Sequence, residues 1–107
     1  MSEELSLALE LYTNMTRELP HYSDWLEAEN VLFWRDVIQE SLDAGARLSV
    51  GAQSQLDEAD DRLVAASDVI VRRFPEVYQD SEPMPPRFWW WHLDKGPRVR
   101  EEATEAA

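Results

Sequence analysis

The chain contains no cysteine, which excludes disulfide staples and thiolate metal sites. Its two histidines, His21 and His92, have no histidine three or four residues away, so the H-x-x-x-H geometry of a helical zinc site is missing. Glycine occurs only at Gly45, Gly51 and Gly96, too sparsely for a phosphate-cradling loop. There is no G-x-S-x-G, and Ser and Thr are scattered, so nothing marks a covalent nucleophile. The longest clearly hydrophobic runs, Val31–Trp34 and Phe88–Trp91, are far too short to span a bilayer. The opening Ser2-Glu3-Glu4 has no signal-peptide character, and the expectation is a cytoplasmic protein.

Positive charge is also scarce. There are 22 acidic residues against 10 basic ones, a net charge of −12, and Lys95 is the one lysine. Binding to DNA or RNA is disfavoured, because phosphate neutralisation by Lys and Arg dominates that affinity. Anionic membrane surfaces are disfavoured for the same reason. A basic protein partner or metal ions remain compatible with this charge.

What is present suits a folded domain. Hydrophobic residues make up 44% of 107 residues and include five tryptophans, which is wrong for a disordered chain and enough for one modest core. The periodicity is helical throughout. Leu5, Ala8, Leu9, Tyr12 and Leu19 recur at helical spacing over residues 3–19, with Leu7, Leu11 and Met15 on a neighbouring row. Pro20 closes that helix, and a short turn runs to Ser23. A second helix is expected over 24–44, with Asp24 as N-cap and Gly45 as the terminating glycine.

That second helix is apolar over far more of its girth than the roughly 100° stripe of a surface helix. Only a ridge of Glu29, Asp36, Glu40 and Asp43 interrupts it. It is therefore expected at the centre of the bundle, with Trp34 and Ile38 buried and the acidic ridge wet. A third helix over 52–74 carries Ala52, Leu56, Ala59, Leu63, Ala66 and Ile70 at alternating spacings of four and three, a seam suited to antiparallel packing on the second. The predicted fold is all-α: a small antiparallel bundle of three main helices, plus a short aromatic C-terminal helix or arm. Residues 1–96 form the domain and 97–107 read as a flexible acidic tail, while Asp80–Pro86 reads as an extended connector.

Two constellations are candidate sites. The first is Phe88, Trp89, Trp90 and Trp91. Four consecutive aromatics cannot all face one way in a regular structure. They either cover an open edge of the helices or anchor a partner, since aromatics are the usual anchors of interfaces. The second is a pair of carboxylate motifs, Glu40-x-x-Asp43 and Glu58-x-x-Asp61, separated by 14 residues on two neighbouring helices. This outline resembles the metal-binding signature of the all-α NTP pyrophosphohydrolases of the MazG type, in which E-x-x-E and E-x-x-D hold magnesium. Asp43 stands where that signature has its second Glu. The resemblance implies magnesium on Glu40, Asp43, Glu58 and Asp61, whose hard oxygens suit that ion.

The leading functional expectation is a non-catalytic interaction module, an adaptor or assembly factor. Its aromatic segment and acidic faces would meet a protein partner, a basic one being compatible with the charge, or a second copy of the chain. The alternatives are the magnesium-dependent pyrophosphohydrolase and an acidic mimic of nucleic acid.

Overall fold

Three side chains start the long helices. The oxygen of Ser2 accepts from the Leu5 amide, that of Asp24 from Leu26, and that of Ser49 from Ala52. In the computed structural model these caps open α1 (Glu3–Glu18), α2 (Trp25–Asp43) and α3 (Val50–Arg73), and a last helix, α4, spans Val99–Ala106. The structure describes residues 2–22 and 24–106. Ser23 at the end of the expected turn, Ala107 at the end of the expected tail, and Met1 lie outside it. The fold is all-α, with no strand among the described residues.

The helix ends follow from local chemistry. At the end of α2 the Ala46 amide donates to the Ser41 carbonyl and the Gly45 amide to the Leu42 carbonyl, with Gly45 at φ 104°. This is the Schellman arrangement, and it needs a residue without Cβ at that left-handed position. Pro75 ends α3. The connector that read as extended is wound into successive turns instead. The Ser81 amide donates to the Tyr78 carbonyl, Met84 to Ser81 and Phe88 to Pro85. Pro86 sits at the second position of the last of these turns, where its fixed φ is favourable.

The order of packing differs from the sequence expectation. The first helix, not the second, lies at the centre. α1 packs along both α2 and α3, whereas α2 and α3 make little close backbone contact with each other. The physical reason lies in α1. Leu5, Ala8, Leu9 and Tyr12 are buried, and so are Thr13 and Thr16, which extend the buried arc to the α3 side. There Gln55 Nε2 donates to the Thr13 hydroxyl and Arg62 Nε to the Thr16 hydroxyl, each at 3.1 Å. The Ala/Leu seam of α3 therefore faces α1. Ile38 of α2 is buried as expected, but Trp34 is only partly covered.

The C-terminal arm touches both α2 and α3. A 3-10 turn over Pro75–Tyr78 contacts both helices, another over Trp89–Trp91 contacts α2, and a third over Leu93–Lys95 contacts α3. Residues that read as an acidic tail include the helix α4, which packs on the Trp89–Trp91 turn through the side of the helix that carries Val99 and Ala103. Their i,i+4 spacing gives an otherwise polar segment one apolar edge. Among the described residues no helix is long and apolar enough to cross a membrane.

Candidate functional site

The aromatic segment lies mainly inside the molecule. Phe88, Trp89 and Trp90 are buried, and Trp91 is half-buried. Phe88 stacks on Trp90 at 4.9 Å between ring centroids, and Trp89 meets Trp90 edge-on at 5.5 Å. The indole N–H groups of Trp90 and Trp91 both donate to Oδ1 of Asp36, each at 2.7 Å. The sequence pattern puts Asp36 on the wet ridge of the second helix, and the structure differs. Asp36 is half-buried, because it is the acceptor that two tryptophans require. Burial raises its carboxyl pKa above the ordinary value, and the two indole hydrogen bonds pull it back only in part.

Beneath the tryptophans lies a charged centre that the motifs did not reveal. Arg35 of α2 and Asp60 of α3 are both buried. Nε and Nη2 of Arg35 donate to the two oxygens of Asp60, at 3.0 and 3.3 Å. The Tyr12 hydroxyl of α1 donates to the same carboxylate at 2.6 Å. The guanidinium lies over the Trp90 ring, 4.3 Å from its centroid. One residue from each long helix and one from the arm thus meet near mid-bundle. Burial, and next the Asp60 charge, push the Tyr12 phenol well above its ordinary pKa. A hydrogen-bonded line continues outward from Arg35 to Gln39, from Gln39 to Asp43, and on to Arg87.

Arg35 and Asp60 did leave a signal in the sequence. Asp60 falls on the same helical arc as Leu56, Ala59 and Leu63, and Arg35 on the arc of Val31, Leu32 and Ile38. A charge inside an apolar arc needs a buried partner.

The four carboxylates of the pyrophosphohydrolase-like pattern do not assemble into a site. Asp43 is ion-paired with Arg87 and Asp61 with Arg100, while Glu40 and Glu58 are exposed. Among the described residues no group of three or more Asp, Glu or His side chains is arranged to hold a metal ion. α2 and α3 make little close backbone contact with each other, and two of the four acids have arginine partners. Hydrogen bonds from Arg87, and then from Gln39, hold the Asp43 carboxyl below its ordinary pKa. His92 is buried within the arm, where its Nε2–H donates to the Met84 carbonyl at 2.8 Å, and His21 is exposed.

The open feature is on α2. At about 100° per residue, its buried Ala28, Val31, Leu32, Arg35 and Ile38 centre on one side, and Leu26, Phe33 and Val37 centre about 180° away. Leu26 is 57% exposed and Phe33 51%, while Val37 is half-covered. Trp34 meets the Phe33 ring edge-on at 5.4 Å. The helix therefore carries a second apolar stripe pointing directly away from the core. Compared with protein-family models, curated proteins and solved structures, the chain matches none.

Proposed function

We propose that the protein is a non-catalytic interaction module, a small acidic helical adaptor or assembly factor. The outward apolar stripe of α2 carries this reading. Buried faces accommodate most large hydrophobic side chains of the chain, yet Leu26 and Phe33 stand open together on one helix. Exposed apolar side chains aligned on one helix face mark interaction sites more often than scattered single residues do. Of the aromatic segment, Phe88, Trp89 and Trp90 serve the scaffold, and Trp91 alone offers partly open ring surface to a partner. The arginine partners of Asp43 and Asp61 weigh against the magnesium-dependent hydrolase.

A site-directed photocrosslinking scan tests the reading. A photoreactive phenylalanine analogue is placed in turn at Leu7, Phe33, Val50 and Gln79, all exposed and on different parts of the surface. A discrete adduct with another protein chain in living cells, from at least one position, is the expected result. Absence of any adduct, or turnover of nucleoside triphosphates with magnesium or manganese, would overturn it.

A further inference from the structure

The stripe on α2 has a definite register. Leu26, Asn30, Phe33 and Val37 follow spacings of four, three and four, the seam geometry by which two helices pair lengthwise. Every charged residue bordering that seam on α2 is acidic. Glu29 and Glu40 lie along one edge and Glu27 along the other. The single basic residue of the helix, Arg35, is buried and bound to Asp60. Beside the first edge, Glu29 joins Glu76, Asp80 and the half-buried Trp91 around a cavity of about 240 Å³. An apolar ridge with an acidic rim, next to a carboxylate-lined hollow walled by an indole, has the features that seat a cation on an alkyl stem.

We propose that this face of α2 docks a basic amphipathic helix of a partner protein. Its apolar residues lie along Leu26, Phe33 and Val37, and one Lys or Arg side chain enters the hollow between Glu29, Glu76 and Trp91. A second copy of this chain is the wrong occupant, because its own α2 would bring the same acidic rim against Glu27, Glu29 and Glu40. Asn30 interrupts the apolar seam, and a polar seam residue fixes register at some cost in affinity. This inference rests on the interaction-module reading and narrows it to one surface and one partner chemistry.

The probe is a synthetic amphipathic peptide of about three heptads, with leucine on the seam and lysine on both flanks. Its twin carries glutamate in place of every lysine. Backbone amide NMR shifts of the full chain locate binding, and titration gives affinity. The lysine peptide should shift amides over residues 25–41 and bind at least about tenfold more tightly than its twin. Leu26→Ser with Phe33→Ser should abolish binding while leaving the melting temperature almost unchanged, since both side chains already face water.

A second pair of variants separates a site from bulk attraction. Glu29→Lys with Glu40→Lys should weaken binding about tenfold or more, while Glu58→Lys with Asp68→Lys, the same charge change on α3, should weaken it less than about threefold. Equal weakening by both pairs overturns the proposal, as does a shift map outside α2. A dimer in light scattering that Leu26→Ser and Phe33→Ser convert to monomer also overturns it, since the occupant is then a second copy. If binding at α2 fails while photocrosslinks persist at Leu7, Val50 or Gln79, the interaction-module reading survives and this inference alone is lost.

Discussion

Asp60 carries the largest single-residue consequence. Its carboxylate accepts from Tyr12 and from two nitrogens of Arg35, all inside the core. A buried pair of this kind contributes little net stability, but breaking it leaves an uncompensated charge, at a cost of about 3–5 kcal/mol. Asp60→Asn should therefore unfold at clearly lower urea than wild type. Arg35→Met combined with Asp60→Leu, made together with Tyr12→Phe so that no buried phenol is left without its acceptor, removes both charges and should recover most or all of that loss. Equal damage from the single and triple variants would show that the network matters for shape and not for charge.

Asp36 gives a prediction in pH. Its carboxyl pKa is raised in the folded state by burial, so the native protein binds that proton more tightly than the unfolded chain. The ionised form is then a cost at neutral pH. That cost falls away as pH drops through the raised value toward the ordinary carboxylate range. Asp36→Asn keeps an acceptor for the two indoles and should melt no lower than wild type at pH 7, with any advantage vanishing near about pH 4. Asp36→Ala instead leaves the Trp90 and Trp91 N–H groups without their acceptor, and should lose about 2 kcal/mol at either pH.

At the scale of elements, the three long helices were legible because each carries its own signals. Ser2, Asp24 and the Gly45 stop flank clean apolar periodicity, and the expected spans of 3–19, 24–44 and 52–74 lie within two residues of the observed ones. Ser49 starts α3 two residues earlier than its seam suggested, because the cap precedes the first packed residue. The wide apolar girth of α2 was read as centrality. It reflects two separate faces, one on the core and one open, and a helical wheel cannot tell cover by this chain from cover by another. The centrality of α1 was hidden because the part of its packing arc that faces α3 includes Thr13 and Thr16, which do not read as apolar. Likewise the acids near the C-terminus masked the Val99–Ala103 edge of α4.

That short helix has a measurable role. Arg100 of α4 lies 5.5 Å from the Trp89 ring centroid and pairs with Asp61 of α3. α4 thus clips the tryptophan turn to the bundle. Ending the chain at Gly96 should cost about 2 kcal/mol from lost apolar cover and the cation–ring contact. Tryptophan emission should move to longer wavelength as Trp89 meets water. An unchanged melt with unchanged emission would mean that the arm holds itself in place.

For the whole molecule, charge balance sets opposite salt responses for stability and for binding. The net charge of −12 is confined to a body of 35 × 30 × 20 Å, so many acids sit within one or two screening lengths of each other. Self-repulsion of this kind opposes the compact state. Among the described residues the surface ion pairs Arg87–Asp43, Lys95–Glu82 and Arg100–Asp61 offset little of it, since exposed pairs contribute about 0–1 kcal/mol each. The Arg35–Asp60 pair is buried and escapes most screening. Raising salt from roughly 20 to 300 mM should therefore raise the melting temperature by a few degrees, while weakening any basic helix bound along α2. The two trends, measured in the same buffers by calorimetry and by titration, should cross in sign. If the melt falls with salt instead, the surface pairs outweigh the repulsion. If binding is indifferent to salt, the acidic rim of α2 plays no part in recognition and the seam acts through its apolar residues alone.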